Sequence, residues 1–207
     1  MTISELLKKR MDKYLSANRY IDCDNPEIIN KAQELAIGSG NDEDIAKACF
    51  RFVCDNIKHS NDYGFNPTTV KASDVLTHGT GWCYAKSHLL AALLRANEIP
   101  AGLCYQRLTI QNDTPPFCLH GLNAVFLENH GWYRVDARGN KPGVDADFCP
   151  PLEKLAFPII VEGECDFLEI WPEPIPIVVD VLEKCQTYSE VLRNLPDIEI
   201  VKRINIV

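Results

Sequence analysis

The stretch from Cys83 to about Asn97, with Leu89-Leu90-Ala91-Ala92-Leu93-Leu94 at its heart, has the composition of a helix and is apolar on nearly every side. Polar side chains interrupt it only at Lys86, Ser87, His88 and Arg95. A surface helix carries a single apolar stripe, whereas a helix that is apolar all round has to be surrounded. Any fold open to this chain must therefore wrap other elements around this segment, and Pro100 prevents its extension. The approach to the helix is just as particular. Gly79-Thr80-Gly81-Trp82 forms a glycine-punctuated loop that runs directly into the first turn, and Cys83 sits at the junction. The first turn of a helix leaves backbone N–H groups unpaired and carries partial positive charge. Both favour a thiolate over a thiol, so the junction is a place where a cysteine becomes a nucleophile.

The flanking elements supply the wrapping. Asp24 or Asn25 caps a first helix with Pro26 in its opening turn and Ile28, Ile29, Ala32, Leu35 and Ala36 on one face, ended by Gly38-Ser39-Gly40. Asn41 or Asp42 starts a second, with Ile45, Ala48, Cys49, Phe52, Val53 and Ile57 aligned. Turn formers dominate from Lys58 to Val70, and Ala72 to Leu76 makes a short helical turn. After Pro100 the period changes to that of strands, over Leu103–Ile110, Leu119–Leu127 and Trp132–Val135, with Asn112–Pro116 an exposed loop and Glu128-Asn129-His130-Gly131 a turn. A proline-rich region from Pro142 to Pro176 holds strand pieces at 159–161 and 168–170. Ile177–Lys184 is helical, and Thr187-Tyr188-Ser189-Glu190 matches a capping box that opens a last short helix, stopped by Pro196. Residues 198–207 alternate as a final edge strand. The order of helices, then strands, then short helices gives an α+β fold, with N-terminal helices and a central buried helix packed on an antiparallel sheet.

With 207 residues the chain suits one domain over 1–207, its core at about 45–140 and its C-terminal strands and short helices at 141–207. The net charge of −8 argues against nucleic acid or an anionic membrane as partner. Nine cysteines with no Cys-x-x-Cys, no long apolar h-region at the N-terminus and no apolar stretch of about 18 residues point to a reducing cytoplasm. There, eight of the nine act as small buried hydrophobes. Oligomeric state is left open.

A cysteine nucleophile needs a base, and the base needs an orienting group. His120 begins one strand and Asp136 ends the next. If Phe126 pairs with Trp132, Leu122 faces Asp136 and His120 lies diagonal to it, roughly 7–8 Å away at the backbone and within reach of an aromatic side chain. His120 can then bond Asp136 through one ring nitrogen and face Cys83 with the other. The Cys83 backbone N–H is placed to donate to an oxyanion, and Trp82 and Tyr63 are candidates by position for a second donor.

These residues carry a resemblance. Lys71-Ala72-Ser73-Asp74-Val75-Leu76, Gly79-x-Gly81-Trp82-Cys83, Lys86 and Leu89-Leu90-x-Ala92-Leu93-Leu94-Arg95-Ala96-x-x-Ile99-Pro100-Ala101 resemble the core of the bacterial transglutaminase-like superfamily. So do His120-Gly121-Leu122-Asn123-Ala124-Val125-Phe126 and Gly131-Trp132-Tyr133-Arg134-Val135-Asp136, spacing included. The resemblance covers about 45–140. It implies a papain-like core with Cys83 as nucleophile, His120 as general acid/base and Asp136 as orienter. It further implies acyl transfer at a peptide or protein amide through a thioester, with hydrolysis favoured over cross-linking and no cofactor. Ser87 departs from the pattern where many relatives carry alanine, and Asn97-Glu98 where a glycine commonly precedes the isoleucine.

Three other readings compete. Cys118-Leu119-His120 with Cys83 or His78 has donors for zinc, but no second close pair completes the site and no metal is expected. The glycines before Cys83 lack the lysine pattern of a phosphate loop. A catalytically inactive peptide-binding or scaffold domain on the same fold is the alternative from another class.

Overall fold

The computed structural model describes residues 11–111 and 114–198. Helix α1 (Pro26–Ala36) starts at Asn25, whose side chain accepts from the Glu27 amide, and α2 (Asp42–Asn56) starts at Asn41, which accepts from Asp44. These caps satisfy N–H groups that the first turn leaves free. A two-residue strand β1 (Lys58–His59) follows and leads into one short turn of helix, α3 (Ser60–Tyr63). Helix α4 (Ala72–His78) ends on Gly79 at φ +63°, a left-handed conformation that glycine adopts without a side-chain clash. Strand β2 (Thr80–Gly81) then pairs in parallel with β1, Lys58 opposite Thr80 and His59 opposite Gly81.

Helix α5 (Cys83–Ala96) is enclosed along its length, and every residue from Cys83 to Arg95 is buried. The four polar residues that interrupt its apolar surface are inside as well. Each bonds a backbone carbonyl, which offsets part of the cost of burial, although His88 Nε2 stays without a partner among the described residues. Lys86 Nζ donates to Ile57, Ser87 Oγ to Cys83 at 2.8 Å, and His88 Nδ1 meets Val70 at 2.7 Å. Arg95 ties the helix end to Ala101, Ser16 and Pro172 at 2.7–3.0 Å. Burial pulls the Lys86 amine down to about 8 and the His88 imidazole to about 4.

The sheet that covers α5 has β5 (Gly131–Val135), β4 (Thr114–Leu127), β3 (Ala101–Gln111) and β8 (Cys165–Asp166) side by side, all antiparallel. Phe126 pairs with Trp132 and Asn123 with Val135, the register read from the turn length. Asn123 Nδ2 bridges Ser87 O on the helix and Gly102 O on β3 at 2.9 and 3.2 Å, which locks helix to sheet. The closest approach is at Gly121. A Cβ there would stand 3.0–3.3 Å from the side chain, Cα and N of Tyr84, so the helix N-terminus can lie on β4 only because that residue has no side chain.

The C-terminal third departs from expectation. Residues 159–161 and 168–170 are not strands. The paired segments are instead β8, a small hairpin of β6 (Asp147–Cys149) and β7 (Leu152–Lys154), and a bridge from Leu103 to Trp171. Exposed Ile160 and Leu168 explain the error, because their apolar runs mimic strand composition without having a sheet face to cover. Strand β4 starts at Thr114, inside the segment expected to be a loop. Helices α6 (Pro176–Lys184) and α7 (Tyr188–Arg193) stand as the sequence indicates, α7 with its Thr187–Glu190 capping box. Residues 199–207, assigned with Ile198 to a final edge strand, lie outside the described residues. No described helix is long and apolar enough to cross a membrane.

Candidate active site

Cys83, His120 and Asp136 come from three different elements, and the Gly121–Tyr84 contact is what joins them. It seats the first turn of α5 beside the middle of β4, one residue from His120. The Tyr84 hydroxyl donates to Leu119 O on the other side of the same histidine, so the contact is pinned from both flanks. Asp136 follows the last residue of β5, and the hairpin register carries it across to His120.

His120 Nε2 lies 2.7 Å from Asp136 Oδ2, both residues being buried. The carboxylate also accepts from the Arg138 amide at 3.1 Å and the Ala156 amide at 3.2 Å. A carboxylate with these donors can only accept, so Nε2 carries a proton and Nδ1 is left for Cys83, which lines the same cavity. Burial works against the charged imidazole, but the Asp136 charge, with the nearby Cys83 sulfur, outweighs it, and His120 is raised to about 10. Burial likewise opposes the Asp136 carboxylate. The His120 charge and the three hydrogen bonds prevail, and the carboxyl is held below its usual value. Phe157 packs edge-on against the His120 ring at 5.1 Å and limits its rotation.

Cys83 and His120 border a cavity of about 360 Å³, and Asp136 stands behind His120, outside the lining. Its walls are largely apolar, with Leu108, Ile110, Phe157, Ile160, Leu192 and Leu195 around the polar end formed by Cys83 and His120. Trp82 borders it too, and its indole N–H is buried without a hydrogen-bond acceptor. Tyr63, the other residue considered for an oxyanion donor, is half exposed. It lines a separate cavity with Lys58, Asp62 and Lys141 and does not reach this one.

Two cavity residues escaped notice in the sequence as parts of a cysteine site. Cys118 shares a strand face with His120, and its i, i+2 spacing is the signal that was available. Burial and the nearby Cys83 push its thiol up to about 12, so it is not a second nucleophile at neutral pH. His59 sat among turn formers and gave no signal until β1 paired with β2. Among the described residues no three His, Cys, Asp or Glu side chains converge as a metal site would require.

The chain matches the Transglutaminase-like superfamily model over residues 29–137, just over half its length. Among solved structures, a candidate cysteine protease from Cytophaga hutchinsonii aligns with a TM-score of 0.50 at 22% identity, over 62% of this chain and 42% of that one. The periplasmic domain of TgpA from Pseudomonas aeruginosa aligns at 0.47 and 18% identity, over 63% of this chain and 47% of that one. The chain thus spans less than half the length of either structure. No curated protein sequence matches it. The α+β core, with its buried helix laid across an antiparallel sheet, is the papain-like arrangement, and the chain belongs to the transglutaminase-like superfamily.

Proposed function

We propose that this protein is a cysteine acyl-transfer enzyme acting on an amide bond of a peptide or protein, by hydrolysis rather than by cross-linking. The observation that carries the reading is the buried His120–Asp136 bond of 2.7 Å beside a cysteine at a helix N-terminus, on the edge of an apolar cavity. His120 takes the proton of Cys83. The thiolate attacks the amide carbonyl, and the tetrahedral intermediate places its oxygen near the Cys83 backbone N–H. His120 passes its proton to the leaving amine, which leaves a thioester on Cys83. His120 then takes a proton from water, the water attacks the thioester, and the thiolate is regenerated. Hydrolysis is the favoured outcome because water, unlike an amine acceptor, needs no second binding cleft beside the cavity that Cys83 and His120 line. The acidic surface gives no footing for nucleic acid or anionic lipid, and nine free thiols suit a reducing cytoplasm.

Competitive alkylation tests the reading. Iodoacetamide at neutral pH should label Cys83 well ahead of the other eight cysteines, and His120→Ala should remove that advantage. If Cys83 reacts no faster than the rest, the activated nucleophile fails and the peptide-binding scaffold takes its place. Mass spectrometry of His120→Ala incubated with a peptide library then identifies the acyl group from any trapped thioester.

A further inference from the structure

A second histidine borders the same cavity. His59 is 6% exposed, and it reaches Cys83 through the backbone rather than through a side-chain bond. The β1–β2 ladder sets His59 opposite Gly81, two residues before the nucleophile, and its ring packs edge-on against Trp82 at 5.4 Å. The ring is therefore held in place at the threshold of α5 without using either nitrogen.

Both nitrogens are without a hydrogen-bond partner among the described residues. Nδ1 is fully buried and stands 3.8 Å from Asp62 Oδ2, too far for a bond. Asp62 has no need of that proton. Arg138 donates to it twice, at 2.6 and 3.0 Å, and Lys141 once, at 2.6 Å. Asp62 lines the neighbouring cavity and not that of Cys83, so Nδ1 marks the far edge of the ring and Nε2 the edge towards the Cys83 cavity. Burial foremost, then the Arg138 guanidinium, holds the imidazole well below its usual value; the Asp62 charge opposes this and the Lys86 and His120 charges reinforce it. The ring is thus neutral and carries a single proton, which in the Nε2–H tautomer lies on the edge towards the Cys83 cavity. Nε2 has no protein partner among the described residues and, unlike Nδ1, is not fully buried, so a group that enters the Cys83 cavity can bond to it.

We propose that His59 is a catalytic residue of the Cys83 site, a neutral imidazole whose Nε2–H donates to the oxyanion of the tetrahedral intermediate alongside the Cys83 backbone N–H. The assignment rests on the acyl-transfer reading above. No proton is transferred in this role: the carbonyl oxygen gains negative charge as the carbon–sulfur bond forms, accepts the two hydrogen bonds, and gives the charge back when the amine departs.

Two probes separate this role from that of the nucleophile. Alkylation by iodoacetamide needs the thiolate and makes no oxyanion, whereas acylation by p-nitrophenyl acetate passes through one. His59→Phe keeps an aromatic ring against Trp82 but removes the donor. His59→Gln places an amide N–H near the position of Nε2. In His59→Phe the Cys83 alkylation rate should stay within about threefold of wild type, while the p-nitrophenol burst slows on the order of 10²-fold. His59→Gln should recover most of the burst rate. An unchanged burst in His59→Phe overturns the proposal. A slowed burst that glutamine does not rescue also overturns it, assigning the ring to packing or to proton transfer. Equal slowing of alkylation and acylation overturns it as well, since the damage then lies in the thiolate. Failure of selective alkylation in the wild type sinks the acyl-transfer reading itself.

Discussion

Two histidine–aspartate pairs flank one cysteine, and they behave in opposite ways. In His120–Asp136 the atoms are 2.7 Å apart, the carboxylate has no other side-chain cation bonded to it among the described residues, and the ring is raised to about 10. In His59–Asp62 they are 3.8 Å apart, Arg138 and Lys141 have already claimed the carboxylate, and the ring is held well below its usual value. Residue type and burial are the same in both rings. What differs is the charge around each ring: Arg138 and Lys86 act against a proton on His59, whose carboxylate partner is held 3.8 Å away, while Asp136 and Cys83 favour one on His120. An aspartate bonded directly to its histidine favours the charged ring, whereas one held by other cations does not.

The sharpest break of this contrast is at the sulfur that the charged pair serves. Cys83→Ala should abolish turnover of any peptide substrate and the p-nitrophenol burst, while thermal unfolding shifts by only a few degrees, because a single small first-turn side chain is lost. A collapsed fold, seen as loss of the cooperative transition, would make Cys83 structural.

Asp136→Asn comes next. The amide can present its N–H₂ to Nε2 and so stabilise the wrong tautomer, with the proton turned towards the sulfur. Turnover should drop on the order of 10⁴-fold with KM nearly unchanged. Asp62→Asn, the matching change in the other pair, leaves the His120 bond intact and should cost far less. If the two variants lose activity equally, the distinction between the pairs is void.

Much of the charged pair was legible in the sequence, and little of the neutral one. His120 and Asp136 sit on consecutive strands joined by a recognisable turn, so pairing register alone predicts that they meet. The central helix was legible for a related reason: thirteen of its residues are buried, and apolar composition records burial directly. His59 depends on a two-residue ladder between segments 22 apart, and Asp62 on Arg138 and Lys141 from beyond β5. Such contacts leave no period in the sequence. The region after Asp136 was misread for the opposite reason. Its apolar runs have strand composition, yet Ile160 and Leu168 face outwards, and only short pieces at 147–149, 152–154 and 165–166 find partners.

Gly121→Ala probes what holds Cys83 to His120 without altering either pair. The added methyl would meet Tyr84 backbone and ring at 3.0–3.3 Å, so the helix start must move off β4 by a few tenths of an ångström. A loss of about 1–3 kcal/mol in urea unfolding is expected, together with a slower Cys83 alkylation rate. Stability lost with alkylation unchanged would mean that the close approach serves packing alone.

The smallest effect is the most direct reading of the contrast, because the two rings bias stability in opposite pH windows. The folded protein keeps a proton on His120 up to about pH 10, whereas an unfolded histidine releases it near 6.5. That contribution is complete below about pH 6.5 and is lost as pH rises towards 10. The folded protein refuses a proton at His59 that the unfolded chain takes up near 6.5. That contribution is present above about 6.5 and is lost as pH falls. Relative to wild type, His120→Gln should therefore lose less stability between pH 7 and 9, and His59→Gln less between pH 7 and 5, both measured by urea unfolding. Imidazole NMR should show His120 still protonated at pH 8 and His59 still neutral at pH 5.5. Two rings titrating together near 6.5 would show that the surrounding charges do not set the charge state of either one, and the separation into proton carrier and neutral donor would fall with it.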